Sequence, residues 1–287
     1  MRVRNPLARI VLFALLLSKT LANLKTISST QNSLVKQLIQ LKDKSRERKK
    51  SGLFVLEGIR ELQLAIKGKY RVQSIWFDPD IIALDQLIQL TGIQNSEHYV
   101  QVTKEVYQKI AYRQTTEGVI AIVQSNTHNL DQLKLSKNPL ILVAEAPEKP
   151  GNIGALLRTA DAAKLDAVII ANPKTDLYNP NIIRSSVGCL FTNTIATAST
   201  EEIIGFLQNK GIQIHAAALT ASVNYSTVDY NKPAAIVVGT EATGLSESWL
   251  KHSDQNIIIP MQGEIDSMNV SVSAAIIIFE AKRQRGF

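Results

Sequence analysis

The chain of 287 residues is 45% hydrophobic, which is enough to bury one large core or two ordinary ones and excludes a chain that is disordered throughout. Cys189 is the only cysteine, so an intrachain disulfide and a metal site built from several cysteines are excluded, and we expect no bound metal. The net charge of +7 favours a polyanionic partner without identifying one.

The first 42 residues contain no acidic side chain. Arg2, Arg4 and Arg9 precede an apolar run over 10–17, which is too short to span a bilayer, so we expect no membrane association. A secretory signal, an organellar transit peptide, and a plain N-terminal helix or extended reading frame all fit this composition. We therefore keep residues 1–23 outside the fold argument. The expected location is the cytoplasm, or an organelle stroma or matrix if the segment is a transit peptide.

Residues 24–124 alternate helical and strand patterns and predict a small α/β domain. Its first helix spans 33–41 and is capped by Asn32 or Ser33. The elements that follow are a strand over 53–56, a helix ending near 66, a strand over 74–77, a helix over 81–90, and strands over 99–102 and 118–124. The polar segment 125–138 is predicted to be a linker.

Basic residues cluster on and after the first helix. The candidate contacts to a nucleic acid are Lys44, Arg46, Arg48, Lys49 and, in the next helix, Arg60. Such a run is typical either of a solvated helix face or of an arm that contacts phosphates.

Residues 139–287 predict a second α/β domain, in which apolar strands alternate with amphipathic helices. Strands are predicted over 140–146, 167–171, 192–197, 212–218, 234–238 and 256–260, and helices over 153–164, 182–187, 201–210 and 270–285. This pattern indicates a mostly parallel sheet with helices on both faces. Ligands of such sheets bind beyond the carboxyl ends of the strands, so the loops there are where a site is expected.

The first unusual loop, 148–160, leaves a strand and enters a helix. Gly151 and Gly154 permit close approach of the backbone, and Asn152 is a natural cap. Arg158 follows Gly154 by about one helical turn, on the side that faces whatever the loop holds. A capped turn with a surface arginine would show the same pattern.

The second loop, 237–245, places Gly239, Glu241 and Gly244 between a strand and a short helix. No Gly-Lys-Ser/Thr follows, so this is not a phosphate loop. The chain also lacks a Gly-x-Gly-x-x-Gly, which argues against a nicotinamide-dependent oxidoreductase with the same parallel sheet.

The third loop separates two strongly apolar segments. Pro260 ends a strand, Gly263 gives a turn, and Ser267, Met268 and Asn269 stand immediately before a helix. An N-cap and a core methionine would explain these residues individually. The three loops in this order form a more specific pattern.

Together the loops resemble the three signature motifs of the SpoU branch of the SPOUT superfamily, the trefoil-knotted RNA ribose 2′-O-methyltransferases. The motifs are Asn152-x-Gly154-x-x-x-Arg158, Gly239-x-Glu241-x-x-Gly244-Leu245, and Ile259-Pro260-Met261-x-Gly263 with Ser267-Met268-Asn269. The resemblance covers residues 140 to about 285. Residues 54–60 of the front half resemble the substrate-binding domain found in many members.

The resemblance implies a deep knot, a rare exception to unknotted topology, whose loop wraps S-adenosylmethionine. The implied cofactor residues are Gly239, Glu241, Gly244, Ile259, Pro260, Met261 and Met268. It also implies a homodimer through the knot and the C-terminal helix. That helix has an apolar face formed by Val272, Ala275, Ile276 and Phe279, although an ordinary core would need the same residues.

The implied reaction transfers a methyl group from a sulfonium to a ribose 2′-oxygen, which requires in-line positioning and removal of the hydroxyl proton. Asn152 would orient the ribose, and Ser267 and Asn269 would hold the loops and the 2′-oxygen. Family analogy makes Arg158 the activating residue. Because the pKa of arginine is about 12 or higher, charge stabilisation or phosphate alignment suits Arg158 better, and the general base is left unassigned.

Three positions depart from the family motifs. Thr240 stands where asparagine is common, Ala242 where glycine is common, and Met268 where leucine is usual. The methionine conserves volume, whereas the other two leave open a catalytically inactive RNA-binding member. The front domain favours ribosomal RNA as the substrate, with transfer RNA as the alternative.

Overall fold

The computed structural model describes residues 24–113, 117–220, 222–240, 243–264 and 267–287. The chain forms two compact units, with the boundary between Asn126 and Thr127. Most of the segment expected to be a linker, 125–138, therefore belongs to the second unit. All three leucines of that segment pack against the core of this unit.

The first unit is built around a five-stranded sheet. Its elements are β1 (Lys25–Ile27), α1 (Ser33–Asp43), α2 (Ser45–Ser51), β2 (Leu53–Glu57), α3 (Ile59–Lys67), β3 (Val72–Phe77), α4 (Leu84–Thr91), β4 (Tyr99–Val102), α5 (Lys104–Ile110) and β5 (Val119–Gln124). The strand order is β1-β4-β3-β5-β2. The sheet is mixed, because β5 runs antiparallel to both of its neighbours while the other pairs are parallel.

Local sequence explains how α1 forms and where it packs. The side chain of Asn32 caps the helix by accepting a hydrogen bond of 2.9 Å from the amide of Leu34. Val35, Leu38 and Leu41 recur at helical spacing and are buried in one core cluster of the unit. The apolar stripe therefore attaches α1 to the core of this unit.

The second unit contains twelve α-helices and β-strands in its described residues. These are β6 (Leu140–Glu145), α6 (Pro150–Ala162), β7 (Ala167–Ala171), α7 (Pro180–Ser185), β8 (Ile195–Ala198), α8 (Thr200–Asn209), β9 (Gln213–Ala217), β10 (Val223–Asn224), β11 (Ala234–Val238), α9 (Glu247–His252), β12 (Gln255–Ile258) and α10 (Val270–Arg285). The predicted α/β class is confirmed for both units.

The sheet of the second unit has seven parallel strands in the order β10-β12-β9-β11-β6-β7-β8. Every residue of β6, β7 and β11 is buried, as expected for strands covered on both faces. Strands β6, β7 and β8 follow one another toward one edge, whereas β11 pairs with β6 on its other side. The strand order thus reverses between β6 and β11, which is the place where open α/β sheets bind ligands.

Candidate active site

A cleft of about 600 Å³ lies beyond the carboxyl ends of β9, β11 and β12. The residues of its wall that the sequence predicted are Gly239, Gly244, Ile259, Met261, Ser267 and Met268. Leu219 and Thr220, in the loop after β9, also line the cleft and were not predicted. Their position at the carboxyl end of a parallel strand is the signal that could have identified them.

Two glycines allow the loop after β11 to fold tightly against the cleft. A Cβ atom at Gly239 would lie 2.2 Å from the carbonyl carbon of Gly244 and 2.6 Å from the amide nitrogen of Leu245. Gly244 itself has a φ of 69°, which side-chain-bearing residues rarely adopt. Backbone therefore packs directly on backbone at Gly239, which has no room for a larger residue without a shift. Gly244 has open space around it and is required for its backbone conformation instead.

Thr240, one of the departures from the family motifs, closes this hairpin. Its backbone exchanges two hydrogen bonds of 3.0 and 3.1 Å with Gly244. Its hydroxyl lies 2.8 Å from the hydroxyl of Thr243 and accepts a bond of 3.0 Å from the Thr243 amide. Glu241 and Ala242, which belong to the same motif, lie outside the described residues.

The third predicted loop contributes four residues to the cleft wall: Ile259, Met261, Ser267 and Met268. Ile259 and Met268 are half-buried in the cleft wall, and Ser267 reaches it from an exposed position. Pro260 is exposed and lies beside Ile259 rather than in the cleft wall. The apolar walls and the glycine backbone give the cleft the character of a small-molecule site.

One hydrogen bond joins the first predicted loop to the third. The Nδ2 of Asn269 donates to the Oδ1 of Asn152 at 3.1 Å, across 117 residues of sequence. The Oδ1 of Asn269 also caps α10, accepting bonds of 3.0 Å from the amide and 2.6 Å from the hydroxyl of Ser271. One side chain thus fixes the start of α10 and pairs with a residue of α6.

Gly154 and Arg158 occupy different environments on α6. A Cβ atom at Gly154 would lie 2.0 Å from the Ser185 hydroxyl oxygen and 2.6 Å from the amide nitrogen of Ser186, so this glycine permits α6 to pack on α7. Arg158 is exposed and is not among the residues of the cleft wall. Gly154 is therefore a packing residue, whereas the guanidinium of Arg158 is accessible to a ligand.

Four of the five predicted nucleic-acid contacts are exposed: Lys44, Arg46, Lys49 and Arg60. Arg48 is different, since only 6% of it is exposed. Its Nη1 donates to the carbonyl oxygens of Leu41 at 2.8 Å and Lys42 at 3.0 Å. Arg48 therefore satisfies carbonyls at the end of α1, and this burial removes it from the candidate RNA surface.

Glu145 is a residue that the sequence patterns missed. It ends the otherwise apolar strand β6, is 6% exposed, and accepts hydrogen bonds from Thr200, at the start of α8, and Ser246, just before α9. A carboxylate at the carboxyl end of an apolar strand was the available signal.

Within the described residues, no group of three or more His, Cys, Asp or Glu side chains could hold a metal ion. None of the described helices combines the length and apolar character that crossing a membrane requires.

Sequence profiles of known families match both units. A profile of the SpoU rRNA Methylase family matches residues 139–279, which include all three loops. A profile of the MRM3-like substrate binding domain matches residues 32–121.

Two similar proteins cover nearly the whole chain. The 23S rRNA (guanosine(2553)-2′-O)-methyltransferase RlmP of Bacillus subtilis is 26% identical over 259 residues, covering 90% of this chain and 100% of RlmP. An uncharacterised tRNA/rRNA methyltransferase of Synechocystis sp. is 30% identical over 273 residues, covering 92% of this chain and 96% of that protein.

Solved structures agree with these relatives. The crystal structure of an RNA 2′-O ribose methyltransferase is 34% identical, with a TM-score of 0.79, and covers 91% of this chain and 100% of its own. The AdoMet-bound rRNA methyltransferase of Sinorhizobium meliloti is 27% identical, with a TM-score of 0.83, and covers 91% of this chain and 98% of its own.

Proposed function

The chain belongs to the SpoU rRNA Methylase family, and from this premise we propose that it transfers the methyl group of S-adenosylmethionine to a ribose 2′-hydroxyl of ribosomal RNA. The observation that carries the proposal is the convergence of the motif loops. The second and third loops form one cleft, and the Asn152–Asn269 bond ties the first loop to its mouth. Residues distant in sequence therefore meet where this reaction would need them.

Ribosomal RNA is favoured over transfer RNA by the name of RlmP and by the family profile, whereas the Synechocystis relative is named for both RNAs. An active enzyme is favoured over an inactive RNA-binding member by the hairpin after β11. Thr240 closes that hairpin with its own hydroxyl and backbone, so the departure from asparagine is compatible with a formed cofactor loop.

The cleft fits S-adenosylmethionine, which supplies an activated methyl group on its sulfonium. Gly239 and Gly244 offer backbone groups without side chains in the way, while Ile259, Met261 and Met268 form an apolar wall. Backbone donors and acceptors on an apolar wall suit the adenosine of the cofactor. Glu241 and Pro260 complete the proposed cofactor set on the family resemblance alone.

The first and third loops are proposed to position the ribose. Asn152 and Asn269 form one amide pair beside the cleft, and Ser267 lies in its wall. Amide and hydroxyl groups can hold a ribose hydroxyl in line with the methyl group, which converts binding energy into rate. The 2′-hydroxyl that they hold also distinguishes RNA from DNA.

Arg158 is proposed to act as a cation rather than as a base. Its guanidinium remains protonated at neutral pH, because the pKa of arginine is about 12 or higher. Its exposure leaves it accessible to the RNA backbone. We assign it stabilisation of the developing alkoxide and alignment of the neighbouring phosphate.

The first unit is proposed to bind the RNA through Lys44, Arg46, Lys49 and Arg60, which are exposed and lie within the MRM3-like substrate binding domain match. Cations of this kind contact phosphates and contribute affinity with little sequence preference.

The proposed location of the reaction is the cytoplasm, or an organelle stroma or matrix if residues 1–23 act as a transit peptide.

A homodimer is proposed through the family's trefoil knot and α10. Val272 is 47% exposed and Phe279 is 40% exposed, while Ala275 and Ile276 between them are half-buried. Phe287, 75% exposed, lies with its ring centroid 6.3 Å from that of Phe279. An apolar stripe of this kind on one helix is suited to burial against a second copy.

The test is methyl transfer by the full chain. Labelled S-adenosylmethionine is incubated with unmodified ribosomal RNA and, separately, with unmodified transfer RNA, and products are mapped by resistance to alkaline cleavage. We expect label at an alkali-resistant linkage of ribosomal RNA. Label in transfer RNA alone would show that transfer RNA, not ribosomal RNA, is the substrate. Cofactor binding without methyl transfer to either RNA would favour a catalytically inactive RNA-binding protein.

A further inference from the structure

Glu145 is not among the residues of the cleft wall and lies in an unusual environment for a carboxylate. It is 6% exposed at the end of β6, where the five preceding residues are apolar and buried. Its Oε1 accepts bonds from the hydroxyls of Thr200 at 3.0 Å and Ser246 at 2.8 Å. Its Oε2 accepts a bond of 2.8 Å from the amide of Ser246, which is 101 residues away in sequence.

The groups that contact the carboxyl oxygens of Glu145 all act as donors. The Nδ2 of Asn172 donates to the Thr200 hydroxyl at 2.9 Å, so the proton of that hydroxyl is directed to Glu145. Thr200 is the first residue of the ten-residue helix α8, whose N-terminal end favours negative charge. All three bonds at the carboxyl group are therefore donated to Glu145, and both of its oxygens act as acceptors.

The residue that Glu145 holds follows the cofactor loop directly. Residues 239–245 form that loop, and Ser246 comes next in the chain. The end of the loop next to Ser246 is tightly packed, because Gly239 packs against the backbone of Gly244 and Leu245. A displacement of Ser246 would therefore be transmitted to the backbone that lines the cleft.

We propose that Glu145 is a positioning residue, which holds the described ends of the cofactor loop, residues 239–240 and 243–245, in their binding shape without touching the cofactor. The inference rests on the proposed function. Glu145 also precedes the first loop, since Ala146 begins the turn with a φ of 44° and donates its amide to Ala171 at 2.8 Å. Glu145 thus links the first loop to the second, as Asn269 links the third to the first.

The test uses Glu145→Gln in the full chain. Glutamine keeps the length of the side chain, but its amide nitrogen can only donate, so it would oppose a donor of Ser246 or Thr200. We expect the Kd and KM for S-adenosylmethionine to rise about tenfold, with kcat and the KM for RNA changed much less. Calorimetry and steady-state kinetics measure this split.

Asp166→Asn is the matched control. Asp166 accepts bonds of 3.0 Å from the Ser136 amide and 2.9 Å from the Leu140 amide, so it is a half-buried carboxylate that also accepts backbone bonds, at the opposite end of the same strand β6. We expect it to lower the melting temperature without changing the Kd for the cofactor. An equal effect of both variants on that Kd would overturn the inference.

Ser246→Ala covers the case in which Glu145→Gln does not fold. It removes one of the three bonds, and α9 receives no capping hydrogen bond from this side chain that would be lost as well. We expect about a threefold rise in the Kd for the cofactor. An unchanged Kd would contradict the role of Glu145. A wild-type chain that does not bind the cofactor would instead overturn the proposed function, and this inference with it.

Discussion

The two units of the chain organise their proposed functional residues in opposite ways. In the second unit, an all-parallel sheet places the ends of β9, β11 and β12 side by side, and the loops that follow form one cleft. In the first unit, the exposed cations lie along the start of α2 and on α3, and the mixed sheet sends its strand ends in both directions. The proposed site of the second unit is a single cleft, whereas the proposed RNA contacts of the first unit are distributed over its surface.

The difference teaches how strongly each unit should depend on single residues. In a cleft, a few groups line one shared volume, so a change in one group displaces the others. On a surface, each cation interacts with phosphates through water and salt, and each contributes little. Single substitutions at the cleft of the second unit should therefore have large and specific effects on activity. Single substitutions of the cations of the first unit should have small effects that add.

The largest effect on cofactor affinity is expected for Gly239→Ala. The added Cβ atom would lie 2.2 Å from the carbonyl carbon of Gly244, so the hairpin would have to move out of the cleft. We expect the Kd for S-adenosylmethionine to rise about 100-fold, the equivalent of about 3 kcal/mol. Gly151→Ala is the matched control, since nothing lies within 4 Å of its added Cβ atom. Equal affinities of the two variants would show that the cleft is not the cofactor site.

Arg158→Ala should affect the rate and spare the cofactor. Removing one stabilising donor from a reacting site typically lowers kcat by about 10²–10³. Because Arg158 is exposed outside the cleft wall, the Kd for S-adenosylmethionine should stay unchanged. Single-turnover methyl transfer and calorimetry separate the two quantities. Arg158→Lys should recover part of the rate, and near-normal turnover in Arg158→Ala would remove the residue from the mechanism.

Asn269→Asp tests the bond between the loops. Aspartate keeps an acceptor for the Ser271 amide at the start of α10, but it replaces the donor to Asn152 with an oxygen. We expect kcat/KM for RNA to fall about tenfold with little change in melting temperature. Asn269→Ala loses the cap as well and should cost about 1 kcal/mol of stability. Combining either change with Asn152→Ala should give less than the sum of the two effects. Full additivity would show that the pair does not act together.

Much of the fold was predictable because its elements carry local patterns. The strands β4, β7 and β11 and the helix α10 have the predicted bounds. Strands β7 and β11 are continuous apolar runs, β4 is apolar except for Gln101, and α10 begins after the Asn269 cap and ends at Gly286. Helix α5 was missed although its buried residues have helical spacing, whereas three other missed elements lack a recognisable apolar run. Strand β1 has three residues with one buried, β10 has two exposed residues, and α2 is almost entirely charged or polar. Their structure depends on neighbours that are distant in sequence or on the preceding helix.

The residues of the candidate site were predictable only where one loop contains all the residues that define the pattern. The glycines at 239 and 244 are visible in the sequence, because a tight turn requires them. The partners of Glu145 and Arg48 are not visible there. Ser246 lies 101 residues from Glu145 in the sequence. The carbonyl oxygens of Leu41 and Lys42 can accept hydrogen bonds from Arg48 only when the end of α1 lies beside α2. A charged residue that looks exposed in a local pattern can therefore be internal once the chain is folded.

The smallest effects are expected for the exposed cations of the first unit. Single changes of Lys44, Arg46 or Lys49 to Ala should raise the KM for RNA about two- to fivefold and leave kcat unchanged. Each should also reduce the slope of log affinity against log salt by about 0.7, the value for one lost contact to a single-stranded phosphate. Filter binding at several salt concentrations measures that slope.

Arg48→Ala is the contrast within the same basic run. Because its guanidinium is buried on the carbonyls of Leu41 and Lys42, its loss should lower the melting temperature and leave the salt slope unchanged. If Arg48→Ala changed the salt slope as much as Lys49→Ala does, burial would not separate the two roles. Singles with unaltered slopes at Lys44, Arg46 and Lys49 would move the RNA surface away from this run. A slope that falls stepwise as these substitutions are combined would establish the first unit as a distributed surface, because only independent phosphate contacts add in this way.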